Sequence, residues 1–264
     1  MVPVYEVYAI KYAHHHRMSS ANFIGGDLHD SPMPLDYFVW VVRNDNETWV
    51  VDCGFDPATA AKRGRQLVRD VPTALTLVGV EAATVSDLIC THMHYDHIGN
   101  LAAFPRARFH LQDREMAFAT GRYMRHHCFQ EGFNLRDVTE MVEQVYAGRV
   151  EFHDGDVSLT PGLSLHVVGG HTHGLQVVRV NTQRGWVVLA SDASHYYRNM
   201  DEDKAYPITF NIGDMLEGYR RLDELADSHQ HIVPGHDPLV LTRYPAPSEE
   251  LQGAVAILHV PPQR

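Results

Sequence analysis

The segment Thr91-His92-Met93-His94-Tyr95-Asp96-His97 places three histidines and a carboxylate within six residues. His92 and His94 stand two apart, so in an extended segment both imidazoles point to one face. A turn after them would bring Asp96 and His97 alongside, which suits two metal ions better than one tetrahedral ion. Imidazole and carboxylate donors without thiolate favour zinc, with iron, manganese or cobalt as alternatives. The chain holds 19 histidines, so some clustering is expected by chance. A polar loop of solvated histidines is the plain alternative.

The ligands need rigid elements to hold them. The apolar run from Val85 to Cys90 reads as a buried strand and puts the motif at a strand end. A binuclear site needs about seven protein ligands, so three more are required. Three further strand-like runs each end in a ligand: 163–168 before Gly169-Gly170-His171, 186–190 before Ser191-Asp192, and 231–233 before Pro234-Gly235-His236. Small residues next to these ligands let the backbone approach the site closely.

The pattern His92-x-His94-x-Asp96-His97, followed by His171, Asp192 and His236, resembles the metallo-β-lactamase superfamily over about residues 37–245. Within it the chain looks most like the N-acyl-homoserine lactonase group. Val51-Asp52-Cys53-Gly54-Phe55 is similar to the second-strand signature, and Ser191-Asp192-Ala193-Ser194 to the segment of the bridging aspartate. The resemblance implies an α/β fold, the four-layer αββα sandwich. It also implies two divalent ions: His92, His94 and His171 on one, Asp96, His97 and His236 on the other, and Asp192 between them. The activity implied is metal-dependent hydrolysis, most specifically opening of an N-acyl-homoserine lactone and so quorum-signal degradation. The alternative is hydrolysis of another ester, a cyclic amide or a thioester, as in glyoxalase II.

Two departures stand out. His173 occupies a position where the lactonases carry proline, and it is read as a solvated loop residue in preference to a neighbour of the metals. His195 stands three residues after Asp192, where the family tends to place a tyrosine that assists the substrate carbonyl. Either His195 or the adjacent Tyr196 is expected to take that role, and Asp96 to relay a proton to the leaving oxygen besides serving as a ligand. Cys90, two residues before His92, is read as a small core residue.

The 44% hydrophobic content and length of 264 residues allow a large core, and 1–264 is read as one domain. The net charge of −11 argues against a nucleic-acid partner. It permits the apolar groove and few basic residues that an uncharged lactone with an acyl tail needs. No apolar run is long enough to span a membrane, and the N-terminus does not read as a signal peptide. Three scattered cysteines, Cys53, Cys90 and Cys128, read as reduced thiols, so a cytoplasmic location is expected; a homodimer is left open.

Strands are expected near 4–10, 35–43, 48–52, 85–90, 150–168, 176–181, 186–191 and 230–233, and helices near 56–69, 97–104, 113–121, 122–147 and 213–227. The connection 11–34, with His14-His15-His16, and the segment 120–147 are expected to cover the pocket. The triple histidine is read as solvated, because adjacent residues cannot all face one ion. The stretch 195–206 is expected to touch substrate.

Overall fold

The computed structural model describes residues 2–263. The strands in chain order are β1 (Glu6–His15), β2 (Leu35–Arg43), β3 (Thr48–Val51), β4 (Gln66–Leu67), β5 (Asp87–Ile89), β6 (Arg108–Gln112), β7 (Val150–His153), β8 (Val157–Thr160), β9 (Leu163–Val167), β10 (Gln176–Thr182), β11 (Gly185–Ser191), β12 (Ile232–Pro234) and β13 (Val255–Ile257). The helices are α1 (Pro57–Arg63), α2 (Val71–Thr76), α3 (Tyr95–Ile98), α4 (Asp113–Ala119), α5 (His127–Gln130), α6 (Leu135–Tyr146), α7 (Tyr197–Asp201), α8 (Ile212–Leu225) and α9 (Leu239–Arg243).

Two sheets result. One runs β13-β1-β2-β3-β5-β6-β7 with β4 added to β1, and the other runs β12-β11-β10-β9-β8. The alternation along β2 shows why they stack. Tyr37, Val39 and Val41 pack in a cluster with Ala60 of α1, Leu75 of α2 and Met141 of α6. Phe38, Trp40 and Val42 pack instead with Leu165, Val178 and Val188 of the second sheet. A period of two thus feeds two cores from one strand. The second core continues through Met215, Tyr219 and Leu222 of α8. This is the expected α/β sandwich of helices, sheet, sheet and helices.

The differences from the expected elements have local causes. β1 runs on to His15, because a bulge between Lys11 and Ala13 keeps it paired with β2; the covering connection therefore starts five residues later than expected. The helix expected to reach Arg69 stops at Gly64, whose left-handed φ of 64° ends it. The chain then returns as β4 against β1. β6, α2, α7 and β13 were not expected. Segment 122–147 is helical, as expected, but broken by a turn near Gly132.

Candidate metal centre

β3 and β5 are parallel, as are β11 and β12, so their carboxyl ends lie side by side. His92 follows β5, His94 sits at the N-cap of α3, and Asp96 and His97 lie within that helix. Asp192 follows β11, and His236 follows β12. His171 comes from the connection between β9 and β10. Gly170, with φ of 80°, sits where a Cβ would lie 2.5 Å from the Met215 Cα, so only glycine lets α8 approach this connection. A Cβ at Gly235 would meet the Ser191 carbonyl oxygen at 2.6 Å. Ser191 and Asp52 both adopt left-handed φ, 45° and 60°, at the ends of their strands. Such conformations cost about 1–3 kcal/mol and persist when surrounding contacts enforce them.

All seven residues are buried and converge. His171 Nε2 lies 2.8 Å from His94 Nδ1. Asp192 divides its carboxylate: Oδ1 is 3.0 Å from His236 Nε2 and 3.4 Å from His97 Nε2. Its Oδ2 is 3.3 Å from His171 Nε2 and 3.9 Å from His92 Nε2. Asp96 Oδ2 is 3.8 Å from both His97 Nε2 and His236 Nε2.

Two outer nitrogens are already committed. His97 Nδ1 is 2.7 Å from Asp52 Oδ2, and His236 Nδ1 donates to the Asp36 carbonyl at 2.8 Å. These contacts fix the ring orientation and leave Nε2 directed inward. Asp52 also accepts from the Thr91 amide and hydroxyl, both at 2.8 Å, which locks the strand end before His92.

A divalent metal fits these donors. His92 Nε2, His97 Nε2 and Asp192 Oδ1 are buried without a hydrogen-bond partner, which is costly unless a ligand meets them. Burial holds His92 and His94 well below the ordinary imidazole range, and His171 down to about 3, so their lone pairs are available. Burial opposes charge on His97 too, but Asp192, Asp52 and Asp96 outweigh it and push this group well above the usual value. Three carboxylates around one imidazole demand positive charge, which a metal supplies as well as a proton does.

The remaining expected residues divide. His195 lies on the cavity wall with Nε2 3.1 Å from Asp192 Oδ2. Tyr196 does not join it: its hydroxyl is turned to the carbonyls of Met33 and Pro34, 3.2 Å each. Tyr196, extended at the N-cap of α7, sends its side chain away from the cluster, while that of His195 faces Asp192. His173 is exposed, and Cys90 is buried in the core with no disulfide. Of the triple histidine, His14 pairs with Asp36 at 2.6 Å and His15 with Arg65 at 3.2 Å, so neither is simply solvated. His16 is exposed.

The cavity over the cluster is about 60 Å³. His94, Asp96, His171, Asp192, His195 and His236 reach it from below, while Arg17, Arg63, Arg65, Glu131 and Ile208 surround its mouth. Three arginines stand there in a chain of net charge −11, against the expectation of few basic groups. Total charge says nothing about where individual charges sit. The lining also includes Arg17 from 11–34 and Glu131 and Gly132 from 120–147. A second recess of about 430 Å³, lined by Ala119, Met124, Phe133, Leu135 and Val138, shares Arg63 and Glu131 with this mouth.

Glu115 was missed. It is fully buried on α4, accepting from the Met93 amide at 2.9 Å, the Thr172 hydroxyl at 2.6 Å and the Gly174 amide at 3.0 Å. It ties the loop of His92 and His94 to the loop of His171. The signal was a carboxylate three residues before Phe118, on the buried face of a short amphipathic helix.

Residues 33–246 match the family profile described as the Metallo-beta-lactamase superfamily. The chain belongs to this superfamily. An N-acyl homoserine lactonase of Bacillus cereus is 27% identical over 171 residues, 63% of this chain and 62% of that protein. Metallo-beta-lactamase domain-containing protein 1 of Homo sapiens is 30% identical over 182 residues, 68% of this chain and 58% of that protein. These matches span less than two thirds of either relative's length. A crystal structure of a quorum-quenching N-acyl homoserine lactone lactonase superposes with a TM-score of 0.73 at 22% identity, covering 90% of this chain and 94% of that one. At that identity the likeness speaks for the fold alone. Among the described residues no helix is long and apolar enough to cross a membrane.

Proposed function

We propose that this metallo-β-lactamase-superfamily hydrolase opens lactone rings, with N-acyl-homoserine lactones as the substrate and degradation of a quorum signal as the consequence. The observation that carries the reading is the division of Asp192, one oxygen toward His97 and His236 and the other toward His92 and His171. A carboxylate so placed suits two ions: one on His92, His94 and His171, the other on Asp96, His97 and His236. Zinc is the proposed metal, with iron, manganese or cobalt as alternatives. Such a pair would bring the pKa of water toward neutrality and polarise an ester carbonyl.

The chain's own groups complete the site. Asp96, on the cavity wall with Oδ2 toward His97 and His236, would take the proton released by the attacking water on its other carboxylate oxygen and relay it to the leaving ring oxygen. His195 is the remaining candidate of the 195–196 pair, since Tyr196 is withdrawn. The neighbouring recess, where Ala119, Met124, Phe133, Leu135 and Val138 stand beside Arg63, His127, Gln130 and Glu131, offers room for an acyl tail. The same reading takes 1–264 as one catalytic domain.

A second reading rests on Arg17, Arg63 and Arg65. Guanidinium groups at a mouth favour an anionic substrate, which suits an ester or thioester carrying a carboxylate better than a neutral lactone. The test is pH-monitored hydrolysis by zinc- or cobalt-loaded protein, using a short- and a long-chain acyl-homoserine lactone beside a carboxylate-bearing thioester. Metal-dependent acid release from the lactones is expected. Turnover of the thioester alone would replace the first reading by the second.

A further inference from the structure

Three imidazole nitrogens, not two, face the Oδ2 atom of Asp192. His195 Nε2 is the nearest at 3.1 Å, followed by His171 Nε2 at 3.3 Å and His92 Nε2 at 3.9 Å. Metal–nitrogen and metal–oxygen bonds of about 2.0–2.2 Å place donors of one coordination shell about 3–4 Å apart. The distances around Oδ2 have that spacing. His171, Asp192 and His195 offer ligand atoms that all lie within 4.8 Å of one another, and His171 is shared with the group formed by His92, His94 and His171.

The surroundings hold His195 in this orientation from three sides. Its ring stacks on Tyr206 with centroids 3.6 Å apart and an interplanar angle of 25°. Tyr206 is itself anchored, because its hydroxyl donates to the main-chain oxygen of Asp192. The His236 amide donates to the His195 carbonyl at 3.0 Å, and the Gly235 amide to the Ser194 carbonyl at 2.9 Å, so the 194–195 and 235–236 segments are laced together. The His236 ring meets the His195 ring edge-on at 4.9 Å. Such fixing suits a metal ligand, whose ring orientation its surroundings must set.

We propose that His195 is a metal ligand, adding a fourth imidazole to the ion on the His92, His94 and His171 side of Asp192. This rests on the two-metal reading above and deepens it. With Asp192 the ion would then have five protein donors, four nitrogens and one oxygen. Structural zinc sites are satisfied by four; five donors suit ions that accept five or six ligands, such as iron, manganese or cobalt. His195 would then not donate to the substrate carbonyl.

The test is cobalt binding to the full chain, followed by chelator competition and by visible absorption, without reference to turnover. His195→Phe keeps the stack on Tyr206 and removes the donor; His195→Gln keeps an N–H that can reach Asp192. The expected result is two ions in the wild type, one bound at least about tenfold more weakly in both variants, and stronger ligand-field absorption as its coordination number falls. Unchanged affinity and spectrum in His195→Phe, or full rescue by His195→Gln, would overturn the assignment and leave His195 a hydrogen-bond donor to Asp192. A wild type that binds a single ion would instead overturn the two-metal reading. If that ion were unaffected by either variant, the His195 assignment would fail with it.

Discussion

The floor of the cavity takes its side chains from the ends of buried strands, whereas the rim takes Arg17, Arg63, Arg65 and Ile208 from surface connections and a short helix. On the floor, the Nδ1 atoms of His97 and His236, directed away from the cluster, are held by Asp52 and the Asp36 carbonyl. On the rim, Arg63 is held by the carbonyls of Glu131 and Phe133 and lies 3.8 Å over the Tyr95 ring. Arg65 reaches the Tyr95 hydroxyl at 3.1 Å. None of the three arginines has a carboxylate partner within salt-bridge distance among the described residues, and each is partly exposed. The contrast teaches that reaction type is set where packing is tight, while substrate choice is left to groups held by loops.

The sharpest way to break this comparison is Asp192→Ala. If the floor works as a unit around this carboxylate, the variant loses bound metal and activity together. The loss in turnover is expected to exceed about a thousandfold, since metal assistance contributes several kcal/mol. Metal analysis of the purified variant beside a rate measurement checks it. Normal metal content with normal rates would show that Asp192 is not the shared group.

Glu115→Gln sharpens the same side of the comparison with a smaller effect. The carboxylate accepts from both ligand loops, while an amide must turn its NH₂ toward one set of donors. The Thr172 hydroxyl can reverse, but a backbone amide, of Met93 or of Gly174, is left buried without an acceptor. The expected cost is about 1–3 kcal/mol in apo-protein stability, with metal affinity down about 10–100-fold. Denaturant unfolding with and without metal measures both. A variant weaker only in stability would make Glu115 a scaffold group with no hold on the ligands.

How much of this was legible in the sequence follows the same division. His92, His94, Asp96, His97, His171, Asp192 and His236 stand at strand ends with small neighbours, and their spacing alone suggested the group that the fold brings together. Strands as apolar as β2 and β11 were readable for the same reason: burial on both faces leaves a continuous apolar run. β6 is not legible because Arg108, His110 and Gln112 interrupt its pattern; Arg108 is exposed, while His110 and Gln112 are buried through specific contacts such as Gln112 with Gln176. Tyr196 was offered beside His195 because one residue of register decides which faces the cluster. The arginines gave no signal, since nothing local tells a guanidinium aimed at a cavity from one aimed at water. Ile208 likewise gave none, although it adopts a left-handed φ of 63°, unusual for a β-branched residue.

The rim's own support is expected to give the smallest effect. Asp56 caps α1, the helix that ends in Arg63, by accepting from the Thr59 amide at 2.7 Å, and it pairs with Arg136 of α6 at 2.7 Å. Burial raises its pKa, but the Thr59 amide and Arg136 outweigh this and hold the group below its usual 3.8. A depressed carboxylate stabilises the fold above the unfolded-state value, and that contribution is lost as pH falls through the folded-state value. Asp56→Ala should therefore cost about 1 kcal/mol at pH 7, mostly through the lost cap, with little added by an ion pair so near solvent. The gap between wild type and variant should narrow as the pH drops below 3.8, which urea unfolding across that range would follow. A difference that stays constant with pH would assign the whole effect to packing at the start of α1. A loss of several kcal/mol would mean that the rim is as firmly built as the floor, and the contrast between them would fail.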